Sequence, residues 1–196
     1  FNATKTFVDM ANRFLVNSFV YISSIVADES SGYYGLSKLT SEKYVKSNFK
    51  NWLIVRPSQL YGYSEKTPVD SMIKKILTNK IVLSPIGDPY RLIPIHYLEA
   101  AVLIYNSIFT ENLSKTTRLI TGPQVFNYKS LTLEIARNLK RKVVVIPIPK
   151  MFMMILKKLI NIFNLKTDIY PDQIERLYNP NKEIKKLGDK KLMHLS

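Results

Sequence analysis

Three stretches of the chain decide its fold: FVYISS at residues 19–24, YYGLSKLTSE at residues 33–42 and WLIVRPSQLYG at residues 52–62. The first and third begin with short β-branched and aromatic runs, which are typical of buried strands. The second has apolar residues at helical spacing, which predicts a helix over residues 33–49. A further helix is predicted over residues 3–16, so helices and strands alternate. Such alternation indicates an α/β fold wound around a parallel sheet.

The alternation continues beyond Gly62 in shorter elements that prolines separate. Apolar periodicity predicts helices at residues 69–78, 97–109 and 129–138, and strands at residues 81–83, 92–95, 118–121 and 143–146. Residues 150–196 are predicted to be helical and basic.

Composition excludes several classes of protein. The 196 residues include 46% hydrophobic residues and no cysteine, and the histidines are His96 and His194. A packed core is therefore expected, whereas disulfides are excluded and no metal site is predicted. The longest uncharged run, residues 14–27, is shorter than the roughly 20 apolar residues of a membrane-spanning helix. Because no signal peptide is evident at the start either, the expected compartment is the cytoplasm.

The glycines exclude two familiar phosphate-binding loops. The six positions are too far apart for the G-x-G-x-x-G turn that binds the pyrophosphate of a dinucleotide, and no Gly-Lys pair of a P-loop occurs. If the protein handles a nucleotide, its phosphate loop is expected upstream of Phe1 or in a separate chain.

Tyr34 and Lys38 form the pair most suited to chemistry. Their i,i+4 spacing places both side chains on one face of the predicted helix. A neighbouring ammonium lowers the pKa of a phenol, and such a pair can serve as an acid/base centre. Ser23 and Ser24 follow the preceding strand, where a hydroxyl can orient a substrate oxygen. Tyr178 and Lys182 have the same spacing but no such serine before them, and a simple surface pair is the alternative for Tyr34 and Lys38.

Together these motifs closely resemble the extended short-chain dehydrogenase/reductase superfamily, in particular its NAD-dependent epimerase/dehydratase branch. The resemblance rests on FVYISS, on YGLSK with Glu42, and on LIVRPSQLYG at residues 53–62. Asn2 and Thr6 resemble the opening of the preceding helix in that family. Residues 87–101, with Arg91, are similar to a later segment that brings an arginine to the substrate phosphates.

The resemblance implies an α/β fold that is the C-terminal half of a Rossmann-type doubly wound parallel sheet, with a smaller, mostly helical substrate-binding region. Residues 1–62 would be the second half of the NAD(P)-binding domain. Residues 63–196 would be the substrate-binding region, with some elements returning to the sheet. The cofactor would be NAD or NADP and the substrate a nucleotide-activated sugar; the sugar, and the choice among epimerase, dehydratase and reductase, stay open.

The resemblance also implies a role for individual residues. Tyr34 would be the catalytic acid/base, Lys38 would lower its pKa and hold the nicotinamide ribose, and Ser24 would bind the reacting oxygen. The cofactor-binding set would be Ser23, Tyr34, Lys38, Pro57 and Ser58, and the substrate-binding set Ser24, Gln59 and Arg91. For Ser58 and Gln59 a plain turn at the strand end is the alternative. His96 is expected to be a packed structural histidine.

Other features resemble the atypical members of the superfamily related to an accessory subunit of respiratory complex I. Ser24 and Tyr34 are ten positions apart, whereas sugar-nucleotide epimerases usually have a longer loop there. Residues 91–96 and 171–177 also resemble the atypical branch, some members of which bind the dinucleotide without evident turnover. The alternative function is therefore a non-catalytic dinucleotide-binding scaffold or assembly protein.

The C-terminal part of the chain suggests further partners. Residues 140–196 contain 13 Lys and Arg against five Asp and Glu, a net +8 of the total +14. A solvated basic surface is the simplest interpretation, and nucleic-acid binding is not predicted because aromatic residues are not clustered with the charges. The apolar helix at residues 151–166 is expected to be core or a lid, with peripheral membrane contact as the alternative. The oligomeric state stays open, with a homodimer as one alternative, since members of the superfamily that the chain resembles often pair through the helix that carries Tyr34.

Overall fold

The computed structural model describes residues 1–64, 67–86, 90–109 and 115–163, together with residues 174, 177 and 178. Its helices are α1 (Asn2–Arg13), α2 (Gly32–Asn48), α3 (Pro68–Thr78), α4 (Tyr97–Phe109), α5 (Tyr128–Asn138) and α6 (Lys150–Phe163). Its strands are β1 (Phe19–Ile22), β2 (Trp52–Pro57), β3 (Leu60–Tyr61), β4 (Ile81–Pro85), β5 (Ile95–His96), β6 (Thr116–Ile120) and β7 (Val144–Ile148).

The central sheet has three parallel strands in the order β1-β2-β6. Phe19 pairs with Trp52 at the start of β1, and Pro57 pairs with Ile120 at the end of β2. Every residue of β2 is buried, as expected for the middle strand of a parallel sheet that is covered on both faces. The predicted α/β fold with parallel strands is therefore confirmed.

Two smaller parallel pairs, β3 with β5 and β4 with β7, lie outside this sheet. The largest apolar cluster includes Ile76, Val82, Ile93 and Met153, and two other clusters cover the opposite faces of β2. Since β6 pairs with β2, a segment well beyond residue 62 belongs to the central sheet. The domain division at residue 62 itself stays a prediction.

Several predicted boundaries differ from the observed ones, and two differences have a clear physical cause. Residues 92–95 were expected to form a strand, but β5 begins only at Ile95, and Leu92 makes an isolated bridge with Phe126. Pro94 has no N–H for a ladder, and side chains of the β2–β3 connection bind the backbone of Ile93 instead. Helix α1 ends at Arg13, three residues early, because Leu15 has a left-handed backbone with φ 55°. The predicted helical residues beyond Phe163 lie mostly outside the described residues.

Candidate functional site

The predicted site residues lie mainly at one edge of the central sheet, where its parallel strands end. Ser23 and Ser24 directly follow β1, and Ser58 directly follows β2. The backbone N–H of Ser23 donates to the carbonyl of Val55 at 2.7 Å, and that of Ile25 donates to the carbonyl of Pro57 at 2.9 Å. The two strand ends are thus joined side by side. Ligands of open α/β sheets bind in the crevice beyond the carboxyl ends of the strands.

Helix α2 places Tyr34 and Lys38 beside the end of β1. The ammonium Nζ of Lys38 donates to the carbonyl oxygen of Ile22 at 3.0 Å. The same nitrogen lies 5.9 Å from the centre of the Tyr34 ring and 5.3 Å from that of Tyr21. The Tyr34 side chain is half exposed, and its hydroxyl has no hydrogen-bond partner within the described part of the chain. A fixed cation and an open phenol therefore lie one helical turn apart.

A close backbone approach at Gly35 holds this helix against the β1–α2 loop. A Cβ atom at residue 35 would lie 2.4 Å from the carbonyl oxygen of Val26 and 2.4 Å from the Cβ of Ser31. No side chain fits that space, so the loop lies directly on the first turns of α2 only because residue 35 is glycine. The short connection between Ser24 and Tyr34 is consequently packed tightly onto the helix that carries the Tyr34–Lys38 pair.

A buried ion pair links α2 to β2 beneath these residues. Arg56 donates from Nε to Glu42 Oε1 at 2.8 Å and from Nη2 to Glu42 Oε2 at 2.6 Å. The Ser23 hydroxyl donates to the same Oε1 at 2.5 Å. The Glu42 side chain is 1% exposed and that of Arg56 10%. The network connects the residue before Ser24, the helix of Lys38 and the central strand.

Neither Glu42 nor Arg56 was predicted as a site residue, although the sequence contains a signal for both. Arg56 continues the apolar run of residues 52–55, and Glu42 lies one turn beyond Lys38 on the same helix. A charged residue at the end of a buried strand needs an opposite charge nearby, because an unpaired buried charge is costly. The partner becomes identifiable only when the packing of α2 on β2 is known.

Ser24 differs from Ser23 in having a hydroxyl that is largely unused. Its Oγ accepts a hydrogen bond from the N–H of Val26 at 3.4 Å, and the side chain is partly buried. The Ser23 hydroxyl, in contrast, is buried and donates to Glu42. Of the two serines, Ser24 is therefore the one that can donate to a ligand.

Ser58 and Gln59 tie the end of β2 to the segment that carries Arg91. The Ser58 hydroxyl donates to the carbonyl of Ile93 at 2.5 Å. Gln59 accepts from the N–H of Ile93 at 2.9 Å and donates to the Tyr90 hydroxyl at 3.4 Å. The structure thus brings Ser58, Gln59 and the Arg91 segment together, with the first two side chains bound within the protein. Arg91 donates to the carbonyl of Tyr90 at 3.2 Å.

His96 is packed among aromatic rings. Its ring centre lies 5.4 Å from that of Tyr61 and 4.8 Å from that of Tyr97. A Cβ at Gly62, which has φ 98°, would lie 2.5 Å from the imidazole. Burial, with smaller contributions from the carboxylates of Glu99 and Asp70, raises the pKa of the Tyr61 phenol. This environment agrees with a structural role for His96.

The described segments contain neither a candidate metal site nor a candidate membrane-spanning helix. No group of three or more His, Cys, Asp or Glu side chains is arranged there to hold a metal ion. Every helix in that part of the chain falls short of the length and apolar character needed to cross a membrane.

Comparisons with known proteins support the resemblance. Residues 27–91, which contain Tyr34, Lys38, Pro57, Ser58 and Gln59, match the family model described as the RmlD substrate binding domain. The chain is 24% identical over 172 residues to the mitochondrial NADH-ubiquinone oxidoreductase 40 kDa subunit of Neurospora crassa. That match covers 85% of this chain and 44% of the relative, so the chain spans less than half of the curated relative's length.

Solved structures with this fold include nucleotide-sugar enzymes. A dTDP-4-dehydrorhamnose reductase from Bacillus anthracis, in complex with NADP, has a TM-score of 0.64 and 17% identity, covering 91% of this chain and 70% of its own. A UDP-glucuronic acid 4-epimerase from Bacillus cereus, in complex with NAD, has a TM-score of 0.62 and 15% identity, covering 91% and 66%. The expected resemblance is therefore confirmed: the chain has the fold of the extended short-chain dehydrogenase/reductase epimerases and reductases and carries sequence motifs similar to theirs.

Proposed function

We propose that the chain is the catalytic and substrate-binding part of an NAD(P)-dependent oxidoreductase that acts on a nucleotide-activated sugar, of the epimerase/dehydratase or reductase type. The observation that carries this proposal is the position of Lys38, which is bound to the last carbonyl of β1 and faces the ring of Tyr34 at the ligand-binding edge of the sheet. Residues 1–62 form the part that receives the cofactor, and residues 63–196 the part that receives the substrate.

The groups left open at this edge suit the nicotinamide riboside end of a dinucleotide. Lys38 has three N–H donors and uses one of them on Ile22, so donors are left for ribose hydroxyls. The half-exposed Tyr34 phenol and the Ser24 hydroxyl can both reach a ligand above the sheet. The pyrophosphate needs a glycine-rich turn, which this sequence does not contain. The chain by itself is therefore expected to bind a dinucleotide weakly.

The proposed chemistry assigns a proton to a defined atom. Tyr34 Oη removes the proton of a sugar hydroxyl, or returns it to a carbonyl oxygen, while Ser24 donates a hydrogen bond to that same oxygen. Lys38, whose Nζ lies 5.9 Å from the centre of the Tyr34 ring, donates to the ribose hydroxyls and so holds the ligand beside the phenol. When bound, the dinucleotide supplies hydride transfer at its nicotinamide ring.

The remaining residues hold the reactants in place. Pro57 would line the nicotinamide. Ser23 and Ser58 fix the backbone after β1 and β2 through bonds to Glu42 and Ile93. Gln59 lies near the sugar, and Arg91 pairs with the substrate diphosphate. Arg91 is suited to this because a guanidinium donates to phosphate oxygens in pairs.

A turnover assay with a matched control tests the proposal. The full-length protein is incubated with UDP- and dTDP-sugars and NAD or NADP, and products and absorbance at the nicotinamide band are followed. We expect Tyr34→Phe to lower kcat by about 100-fold or more, since general acid/base catalysis contributes roughly 10²–10⁴-fold, and to leave dinucleotide affinity almost unchanged. Tyr33→Phe, which changes the neighbouring 90% exposed phenol, is expected to have no effect. Equal turnover by Tyr34→Phe and the unmodified protein would contradict the proposal.

A dinucleotide-binding scaffold is the second candidate. It is favoured by the similarity to the 40 kDa subunit of NADH-ubiquinone oxidoreductase and by the short, tightly packed β1–α2 loop. Dinucleotide binding that Lys38→Met weakens, with no turnover of any nucleotide sugar, would favour this scaffold over the enzyme.

A further inference from the structure

Helix α6 has an apolar surface that the core does not use. We define the α6 outer face as Met151, Ile155, Leu159 and Ile162, which recur at helical spacing, together with Phe152 and Phe163. All six side chains are exposed, from 42% for Leu159 to 72% for Ile162. The opposite side of the helix carries the buried Met153 and the partly buried Leu156, which pack against the largest apolar cluster. The α6 outer face is therefore additional to the part of the helix that stabilises the fold.

Lysines border this face on one side. Lys150, Met151, Met154, Ile155 and Lys158 line an open depression of about 460 Å³ on the helix surface. Lys150 also lies over the ring of Tyr178 at 5.2 Å, which fixes its ammonium near the first turn. The sequence of α6 contains three lysines and no acidic residue. Apolar side chains beside lysines on one helix are the pattern of an interfacial helix that lies on a negatively charged surface.

Charge argues against two other candidates for covering the α6 outer face, namely a second copy of the chain and its own C-terminal residues. Each copy of the chain carries a formal net charge of +14, so a second copy brought to this face would be repelled. The C-terminal residues 179–196 contain five lysines and two acidic residues, so they carry the same sign of charge as the face. An anionic lipid surface complements both the apolar side chains and the lysines.

We propose that the α6 outer face binds peripherally to a membrane that contains anionic phospholipid. The helix lies parallel to the membrane plane, with Ile155 and Ile162 below the headgroups and Lys150 and Lys158 among them. Its 14 residues are about 21 Å long, which is less than the roughly 30 Å of a bilayer core, so it does not span the membrane. This proposal does not depend on the oxidoreductase activity proposed above.

Co-sedimentation with vesicles tests whether the α6 outer face binds anionic membranes. We expect the protein to sediment with phosphatidylcholine vesicles that contain about one third phosphatidylserine at low ionic strength, and to be released at about 1 M salt, where the Debye length falls to roughly 3 Å. Ile155→Ser/Ile162→Ser should weaken binding by at least about tenfold, because two buried aliphatic side chains are lost. The control Leu98→Ser/Val102→Ser removes two exposed aliphatic side chains from α4 and should bind normally.

A second pair of variants separates the charge contribution. Lys158→Glu should lower the affinity several-fold, since each basic residue near an anionic membrane contributes roughly a fivefold effect. Lys129→Glu makes the same change in net charge on α5 and should have a smaller effect. Equal loss in Ile155→Ser/Ile162→Ser and its control, equal binding to pure phosphatidylcholine, or dimerisation through α6 without vesicle binding would each overturn the proposal.

Discussion

Arg56 holds Glu42 by two hydrogen bonds of 2.8 and 2.6 Å, and both side chains are almost completely removed from solvent. The pair joins the central strand β2 to the helix that carries Tyr34 and Lys38. Because Ser23 donates to the same carboxylate, the end of β1 is fixed by it as well. Buried charges of this kind are costly when one partner is removed.

Breaking this pair should destabilise the protein strongly. We expect Arg56→Met to lower the free energy of unfolding by about 3–5 kcal/mol, because among the described residues it leaves the buried Glu42 carboxylate with Ser23 as its one partner. Urea denaturation followed by circular dichroism measures the change. Glu29→Gln, which breaks the exposed pair of Glu29 and Lys43, should cost less than about 1 kcal/mol. Similar losses of unfolding free energy in the two variants would show that burial does not determine how much the Glu42–Arg56 pair contributes to stability.

Gly35→Ala should be destabilising, which is the opposite of the usual result in a helix. Replacing an interior helical glycine by alanine normally stabilises by about 1 kcal/mol. Here the new Cβ would lie 2.4 Å from the Val26 carbonyl, and overpacking of this kind costs about 1–3 kcal/mol. Ser47→Ala, on the exposed surface of the same helix, is the control and should be neutral or slightly stabilising. A rise in the melting temperature of Gly35→Ala would mean that the loop is not held against α2.

The surface group of Asp9, Tyr44 and Lys5 predicts a titration. Tyr44 donates to Asp9 at 2.6 Å and Lys5 donates to it at 2.9 Å, and these bonds, that of Tyr44 first, lower the pKa of the Asp9 carboxyl. The hydrogen bond to Asp9 also raises the pKa of the Tyr44 phenol. A carboxyl with a lowered folded-state pKa stabilises the fold above its unfolded pKa, and this contribution is lost as the pH falls through the folded value.

NMR titration of the aspartate side-chain carbonyl carbons checks this. Tyr44→Phe should raise the pKa of Asp9 towards that of an ordinary aspartate, and Lys5→Met should raise it less. Tyr33→Phe should leave it unchanged. An Asp9 pKa that is the same in Tyr44→Phe as in the unmodified protein would contradict the role of the phenol.

The sequence predicted the local elements of the fold well and the long-range contacts less well. The apolar runs at residues 19–22 and 52–55 became β1 and the main part of β2, since each run is buried in a parallel sheet. The pairing of β2 with β6 joins segments about 60 residues apart, and periodicity contains no information on such a contact. Helix α6 was expected to be core or a lid, and Met153 and Leu156 do pack against the largest apolar cluster. The apolar side of the helix is wider than this contact, so spacing alone could not indicate which of its apolar residues face solvent.

The same distinction applies to the candidate site. The i,i+4 spacing predicted that Tyr34 and Lys38 lie side by side, and they do so in the structure. Which residues are neighbours on a helix depends only on local geometry, so this contact could be predicted. The bonds of Ser58 and Gln59 to Ile93 depend on a tertiary contact across 34 or 35 residues, and they were not foreseen. The catalytic and binding roles of these residues stay predictions.

The bond between Lys38 and the last carbonyl of β1 has a thermodynamic consequence. A free lysine loses considerable rotamer entropy when a ligand orders it. Here the protein has already ordered the side chain before any ligand arrives, since strand and helix together hold the ammonium in one place. An incoming hydroxyl or ribose would therefore meet a preorganised cation, and less of its interaction energy would be lost to arranging the site.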